Sequence, residues 1–301
     1  MRLFARLRKR RRVRRTRDSR VEQTEVSDNL QTGQFYGSTA RRVEAAGLVL
    51  TEVRHTHGRK LPAHTHESAY FGLLLDGAYT ERFIERNTEY DPFTIGFHPA
   101  GLTHEDEIGA CGSRMFCIEV RDAFFQKTRP YMTAPKFSPD ICGAETTWLG
   151  VKLYRAFRAG TLDTLQLEEI CGDMLERCAQ ISLGHEKSSP AWLARALDLL
   201  HDSFRNQITL EAMAKELDVH PIHLSRVFRK QRGCTLGEYV NRLRVKFVCA
   251  EMSRGWPALD ELALAAGFAD QSHMGRVFKA TVGDTPAKFR EFVHDTTHGA
   301  A

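Results

Sequence analysis

The stretch SRVFRKQRGCTLGEYV (225–240) lies without gaps over GRVFKATVGDTPAKFR (275–290), fifty residues downstream. Arg226/Arg276, Val227/Val277, Phe228/Phe278, Gly233/Gly283 and Thr235/Thr285 coincide, Tyr239 meets Phe289, and upstream His223 meets His273. Similarity at a fixed offset marks a duplicated supersecondary unit. Each copy reads as a short helix, a tight turn and a second helix of about ten residues ending at a glycine, the helix-turn-helix pattern. In the first, Thr209 caps LEAMAKEL, Asp218-Val219 turns, and Pro221 opens PIHLSRVFRKQR. In the second, LDELALAA leads through Gly267-Phe268 into DQSHMGRVFKAT, with Asp270 as N-cap.

At about 100° per residue, Leu224, Val227 and Phe228 share one face of the first such helix, as Met274, Val277 and Phe278 do in the second. Those faces are expected to be buried. The opposite faces carry Ile222, Ser225, Arg226 and Arg229 in one copy and Ser272, Gly275, Arg276 and Lys279 in the other. A guanidinium fork there can reach guanine O6/N7 or a phosphate of double-stranded DNA in the major groove. A single copy would read equally as an ordinary helical hairpin with solvated arginines; two copies in one register favour a paired reader. Between them LGEYVNRLRVKFVCAEM (236–252) is one long helical pattern with Leu236, Tyr239, Val240, Leu243, Phe247 and Val248 apolar. A rigid helix there would fix the separation of two probes, and equivalent grooves recur every ~34 Å.

Residues 190–295 resemble the DNA-binding domain of the AraC/XylS family of bacterial transcription regulators, most specifically in LALAAGFADQSHMGRVFKATVGDTPAKFR (262–290). The resemblance implies that both second helices enter successive major grooves. It puts Ile222, Ser225 and Arg226, and Gln271, Ser272, Gly275 and Arg276, at base-facing positions. Two residues depart from the family: Met274 stands where an aromatic is common, and Gly275 where a hydroxyl residue is common. Gly275 offers no side chain to a base and costs about 0.5–1 kcal/mol relative to alanine in a helix.

The 301 residues suggest two or three domains at roughly 100–200 residues each. With 42% apolar and 27% charged residues, neither a disordered nor a fibrous chain is indicated. The net charge of +5 conceals an uneven distribution: residues 1–20 hold eleven Lys/Arg against Asp18, so everything else sums to −5. That tail reads either as a solvated segment or as a phosphate-binding arm, and no apolar core follows it to make a secretion signal. From residue 191 onward the charge is only +2, so DNA affinity must come from local placement of basic groups. Seven cysteines, odd in number and without a CxxC pair, suggest a reducing cytoplasm. The longest apolar stretch, Leu262 to Ala269, is far short of the ~18 residues a membrane span needs.

From Leu48 to about Val120 the chain is strand-like, with Asp76-Gly77 as a hairpin turn. Gly58-RKLPA-His64-Thr-His66-ESA-Tyr70-FGLLLD-Gly77 has the spacing of a first cupin motif, and Pro99-Ala-Gly101-LT-His104 resembles the second. In metal-binding cupins two histidines, a glutamate and a later histidine form the site. Here His64, His66 and His104 remain as tentative metal ligands, while Tyr70 holds the glutamate position. Three imidazoles would suit a divalent transition metal, although no cofactor is required; a metal-free effector pocket and a structural role stay open beside it. His55 and His57 are read as strand-end residues. Leu149, Leu153, Phe157, then Leu165, Leu167, Ile170, Met174, Leu175 and Cys178 mark two helices broken near Gly160, either intramolecular core or a homodimer seam. GHEKSSP (184–190) reads as a linker, with Ser189 as N-cap and Pro190 first in the next helix.

The expected fold is α+β. A basic tail (1–30) precedes a cupin-like β-barrel sensor (31–140), a helical connector (141–183), a linker (184–190) and an all-α domain with two helix-turn-helix motifs (191–295). The expected function is a sequence-specific DNA-binding regulator, not an enzyme, answering to an unidentified small-molecule effector and touching RNA polymerase if it activates. A metal-dependent cupin enzyme or metal sensor carrying a DNA-binding domain is the alternative.

Overall fold

The computed structural model describes residues 28–83, 87–128, 144–184, 190–232, 234–255 and 258–298. The basic tail to residue 27, Cys142, Ser189 and Gly233 lie outside the described residues. Asp28–Leu30, grouped with the tail on sequence, instead forms strand β1 and pairs in parallel with β4 (Arg59–His66). The other strands are β2 (Ser38–Ala45), β3 (Leu48–His55), β5 (Ala69–Arg82), β6 (Asn87–Tyr90), β7 (Thr94–His98) and β8 (His104–Val120). Together they make one sheet that curls into a half-barrel, with β8 as its spine. The first part of β8 pairs with β4 and the second with β3, while β5 runs along its other edge.

Asp76-Gly77 is not a hairpin turn. Strand β5 runs straight through it, with register shifts against β8 at Leu74/Asp76 and Gly77/Tyr79. Gly77 has φ +87°, which a tight turn would also require, but here it serves a bulge that bends a long strand. A Cβ on Gly77 would lie 2.2 Å from the carbonyl oxygen of Gly112. Gly112 itself has φ +80°, and a Cβ there would lie 2.0 Å from the oxygen of His55. Three backbones therefore meet at the corner, and only glycine permits the approach.

Along β5 and β8 the side chains alternate between two faces, as the strand period demands. Phe71, Leu73, Phe116 and Ile118 face outward into a large core; Tyr70, Leu74, Met115 and Cys117 face the interior of the half-barrel. After α1 (Asp122–Thr128), helices α2 (Ala144–Ala159) and α3 (Thr164–Gly184) cover the outer face. They break where expected, at Gly160 with φ +70°. Of the stripe read from the sequence, Leu153, Phe157, Leu167, Ile170, Met174, Leu175 and Cys178 are buried in that same core and Leu149 packs half-buried against it, whereas Leu165 is 72% exposed. The fully buried Glu52 of β3 clamps α2: it accepts from Tyr154 Oη (3.2 Å) and Arg158 Nη1 (3.1 Å), and from Arg54 Nη2 (2.9 Å).

Helix α4 (Ala191–Ser203) begins with extended Pro190 at its cap, one residue later than expected. It is followed by α5 (Leu210–Glu216), α6 (Pro221–Arg232), α7 (Leu236–Ser253), α8 (Leu259–Ala265), α9 (Gln271–Val282) and α10 (Pro286–His298). These helices share two cores. Leu193, Leu200, Met213, Leu224, Phe228 and Val240 form the first. Leu262, Met274, Phe278, Phe289 and Val293 belong to the core that also holds the sheet and α2. Phe93 touches Phe289, Tyr154 meets Phe292 edge to face, and Arg155 pairs with Asp284. Glu145 binds both Arg242 (2.7 Å) on α7 and Arg177 on α3.

Two glycines with positive φ, one in the bulge and one in a turn, predict different costs for alanine. Gly101 also has positive φ, yet nothing lies within 4 Å of a Cβ there. Gly101→Ala should cost only the left-handed backbone term, about 1–2 kcal/mol. Gly77→Ala adds an overlap with a backbone oxygen and should cost clearly more; equal losses in urea denaturation would contradict the corner described above.

Candidate nucleic-acid interface and half-barrel centre

In the first helix-turn-helix, the Ala212 N–H donates to Thr209 Oγ1 (3.2 Å), and Asp218 takes φ +55° in the turn. Leu224 and Phe228 anchor α6 in the first core. Ile222, Ser225, Arg226 and Arg229 are all exposed on its opposite side, around a shallow depression that also includes Lys230, a cation the sequence reading passed over. Ile222 is 63% exposed, unusual for so apolar a side chain.

In the second motif, the turn is held by Gly267 at φ +86°, whose Cβ would meet the Arg205 oxygen at 2.2 Å. The His273 N–H donates to the N-cap Asp270 Oδ1 (2.6 Å), and Gly283 closes α9 in the left-handed conformation. Gln271, Ser272, Arg276 and Lys279 are exposed and Gly275 is half-buried between them. Met274 is wholly buried, so the departure at that position concerns packing, which the flexible thioether accommodates, rather than base readout. Arg226, Arg229, Arg276 and Lys279 have no ion-pair partner among the described residues, and their charge faces solvent.

Helix α7 connects the motifs. Its Thr235 N-cap forms a reciprocal box with Glu238: the Glu238 N–H donates to Thr235 Oγ1 (3.2 Å) and the Thr235 N–H donates to Glu238 Oε2 (2.7 Å). Val240 packs into the first core, while Val245, Val248, Cys249 and Met252 pack into the second.

The interior of the half-barrel is a second concentration of chemistry. His64 and His66 from β4 and His104 from β8 come together, with ligating atoms all within 4.8 Å of one another. The ring Nδ1 atoms of His64 and His104 lie 2.9 Å and 3.1 Å from the carbonyl oxygens of Pro62 and Leu102. Donating to those oxygens leaves each Nε2 lone pair free toward the centre. Burial pushes all three imidazoles down, His66 to about 2. His66 Nδ1 is buried without a hydrogen-bond partner. Tyr70 is buried beside them with its hydroxyl 3.5 Å from His104 Nε2. His55 is buried at the end of β3 and His57 sits in the following turn.

Three further residues reach this centre that motif spacing did not single out: Glu81, His98 and Asp106. Glu81 Oε1 is 2.8 Å from His98 Nδ1 and 3.7 Å from His104 Nε2, and its other oxygen accepts from Tyr90 Oη (2.8 Å). Asp106 Oδ1 accepts from Tyr79 Oη (2.7 Å), while Oδ2 lies 3.7 Å from His64 Nε2. Burial raises the Asp106 carboxyl, and the neighbouring Glu81 charge raises it further. Burial acts the same way on Glu81, but His98, His104 and the Tyr90 hydroxyl outweigh it and hold that group low. The signal in the sequence was the strand period: Asp106 follows His104 by two, on the same face.

Comparison with known proteins adds the following. A family model described as a helix-turn-helix domain matches residues 213–291. The bifunctional transcriptional activator/DNA repair enzyme AdaA of Bacillus subtilis is 30% identical over 100 residues, 33% of this chain and 47% of that protein. The probable transcription factor PqrA of Proteus vulgaris is 36% identical over 88 residues, 29% of this chain and 72% of that protein. This chain thus spans about half the length of AdaA. ToxT of Vibrio cholerae, a solved structure, is 12% identical over 82% of this chain and 99% of its own, with TM-score 0.36.

Gly275 lies inside α9 with nothing within 4 Å of a Cβ. Gly275→Ala is therefore expected to stabilise the chain by about 0.5–1 kcal/mol, measured by thermal or urea unfolding; a loss would mean that the helix surface is occupied.

Proposed function

Because the chain belongs to the AraC/XylS family of transcription regulators, we propose that it is a sequence-specific double-stranded DNA-binding regulator in which α6 and α9 enter successive major grooves. What carries this is the repeated register of two exposed cationic faces whose arginines are not consumed by internal ion pairs. Ile222, Ser225 and Arg226 on α6, and Gln271, Ser272, Gly275 and Arg276 on α9, face the bases; Arg229 and Lys279 meet phosphates. Both probes lie in one chain, so a dimer is not required. The protein acts in the cytoplasm and as a regulator rather than an enzyme; no described helix is long and apolar enough to cross a membrane. RNA polymerase is its partner where it activates.

The half-barrel serves as the sensor, and His64, His66 and His104 are the residues that would hold a divalent metal there. The orphaned Nδ1 of His66 and the free Nε2 lone pairs of the other two fit such an ion, which would draw these imidazoles into one fixed arrangement. Sensor and second probe share one core through α2, so an effector that alters the sheet alters the setting of α9 relative to α6; couplings of this kind are worth about 1–3 kcal/mol.

Selection of bound fragments from genomic DNA, followed by footprinting, tests the proposal: two protected major grooves on one face of the duplex are expected. Arg226→Ala should cost about 1–3 kcal/mol on the selected site and relax preference at one base pair. Arg229→Ala should weaken all sequences alike and lower the salt slope by about one. Equal sequence-blind losses for both would remove α6 from the groove. Deletion of residues 2–20 should flatten the salt dependence of binding and leave sequence preference intact, whereas a general DNA-coating protein would lose binding altogether.

A further inference from the structure

The half-barrel centre has little room. Its cavity, bordered by His64, His66, Tyr70, Tyr79 and Asp106, measures about 30 Å³. Organic ligands occupy sites of roughly 300–1,000 Å³, while one water takes up ~30 Å³ of liquid. A single small occupant fits, an ion or a water, and the convergence of three histidines on that space favours the ion.

The spacing of the polar atoms points the same way. Asp106 Oδ2 lies 3.7 Å from His64 Nε2, and Oδ1 lies 3.9 Å from His104 Nε2, both too long for hydrogen bonds. At metal–ligand distances of about 2.0–2.2 Å the edge of a coordination tetrahedron is ~3.4 Å, so the separation of Oδ2 from His64 suits neighbouring ligands of one cation. The Tyr79 hydroxyl orients Asp106 through Oδ1 and leaves Oδ2 turned toward His64. Tyr70, at the position where metal-binding cupins carry glutamate, offers a buried neutral phenol instead. Among the described residues no Lys or Arg pairs with Asp106 or Glu81, so two carboxylates share an interior without a fixed cation. Buried carboxylates are ordinarily paired or bound to metal.

We propose that Asp106 is the fourth ligand of a divalent first-row transition metal ion held by His64, His66 and His104, and that this ion is the sensor's ligand. The chain thereby replaces the carboxylate lost at Tyr70 with one from β8, two residues beyond His104 on the same face. Glu81 stays outside the ligand set, bound to His98 and Tyr90, and balances the remaining positive charge. This identification rests on the half-barrel acting as the sensor of the regulator proposed above.

The test uses the full chain, stripped with chelator and titrated with Co²⁺ and Zn²⁺ in competition with a chromophoric chelator. One ion per chain is expected, with the visible absorption of nitrogen- and oxygen-ligated Co²⁺. Asp106→Asn should weaken binding at least about 10-fold and change that spectrum, whereas Tyr70→Phe should leave both unaltered. Since a buried variant could misfold, anomalous diffraction from the wild-type Zn²⁺ form provides a second measurement, with the ion expected on Asp106 Oδ2 and three imidazole nitrogens. Absence of stoichiometric metal, an ion on Tyr70, or an unchanged affinity in Asp106→Asn would overturn the proposal. Footprinting on metal-free protein keeps the outcomes apart: two protected grooves with no metal site would sink the ion and leave the DNA reader standing.

Discussion

Everything in the helical half depends on α7 being buried at both ends in different cores. A helix that packed only one end could swivel, and the two probes would lose their fixed separation. Val240 commits its first turns to the cluster around α6, and Val245, Val248, Cys249 and Met252 commit the rest to the cluster around α9. At 1.5 Å per residue the 18-residue helix is about 27 Å long, comparable to the spacing of adjacent major grooves. The capping box at Thr235 fixes where that rod begins, next to the end of α6.

The two cores have different neighbours. The core of α6 is confined to α4, α5, α6 and the start of α7. The core of α9 continues without a break through α2 into the sheet. Helix α2 is anchored on both sides by polar groups as well as apolar ones: Tyr154 and Arg158 grip Glu52 of the sheet, while Arg155 and Glu145 hold Asp284 and Arg242 of the helical half. The Glu52 anchor is buried and therefore costly to break, whereas the Asp284 and Arg242 pairs are partly exposed and hold α2 less firmly.

Much of this was legible because helices advertise their faces locally. The fifty-residue repeat predicted both helix-turn-helix units, their caps at Thr209 and Asp270, and the buried positions Leu224, Phe228, Met274 and Phe278, although Val227 and Val277, expected on the same faces, are only half-buried. The half-barrel was read less well for a physical reason. Asp-Gly reports a demand for positive φ, and both a hairpin and a bulge make that demand, so the strand that continues through Gly77 was cut in two. That cut hid Glu81, which reaches the histidines only because β5 continues past the bend. His98 ends a different strand, β7, so spacing around the motif histidines does not point to it, whereas Asp106 needed only the two-residue period of β8 to be followed past His104.

The charge of the half-barrel's interior gives its acids a meaning that composition could not. Residues 21–190 carry an excess of acidic groups. Four of those acids are buried, and two of them, Glu81 and Asp106, lie among imidazoles and tyrosines. Removing a carboxylate from water costs several kcal/mol unless something replaces its hydration. Hydrogen bonds from Tyr79 and Tyr90 supply part of that replacement, yet each reaches only one oxygen of its carboxylate. The oxygens left over, Asp106 Oδ2 and Glu81 Oε1, both turn toward imidazoles, and a cation among them would satisfy the one that His98 does not already face.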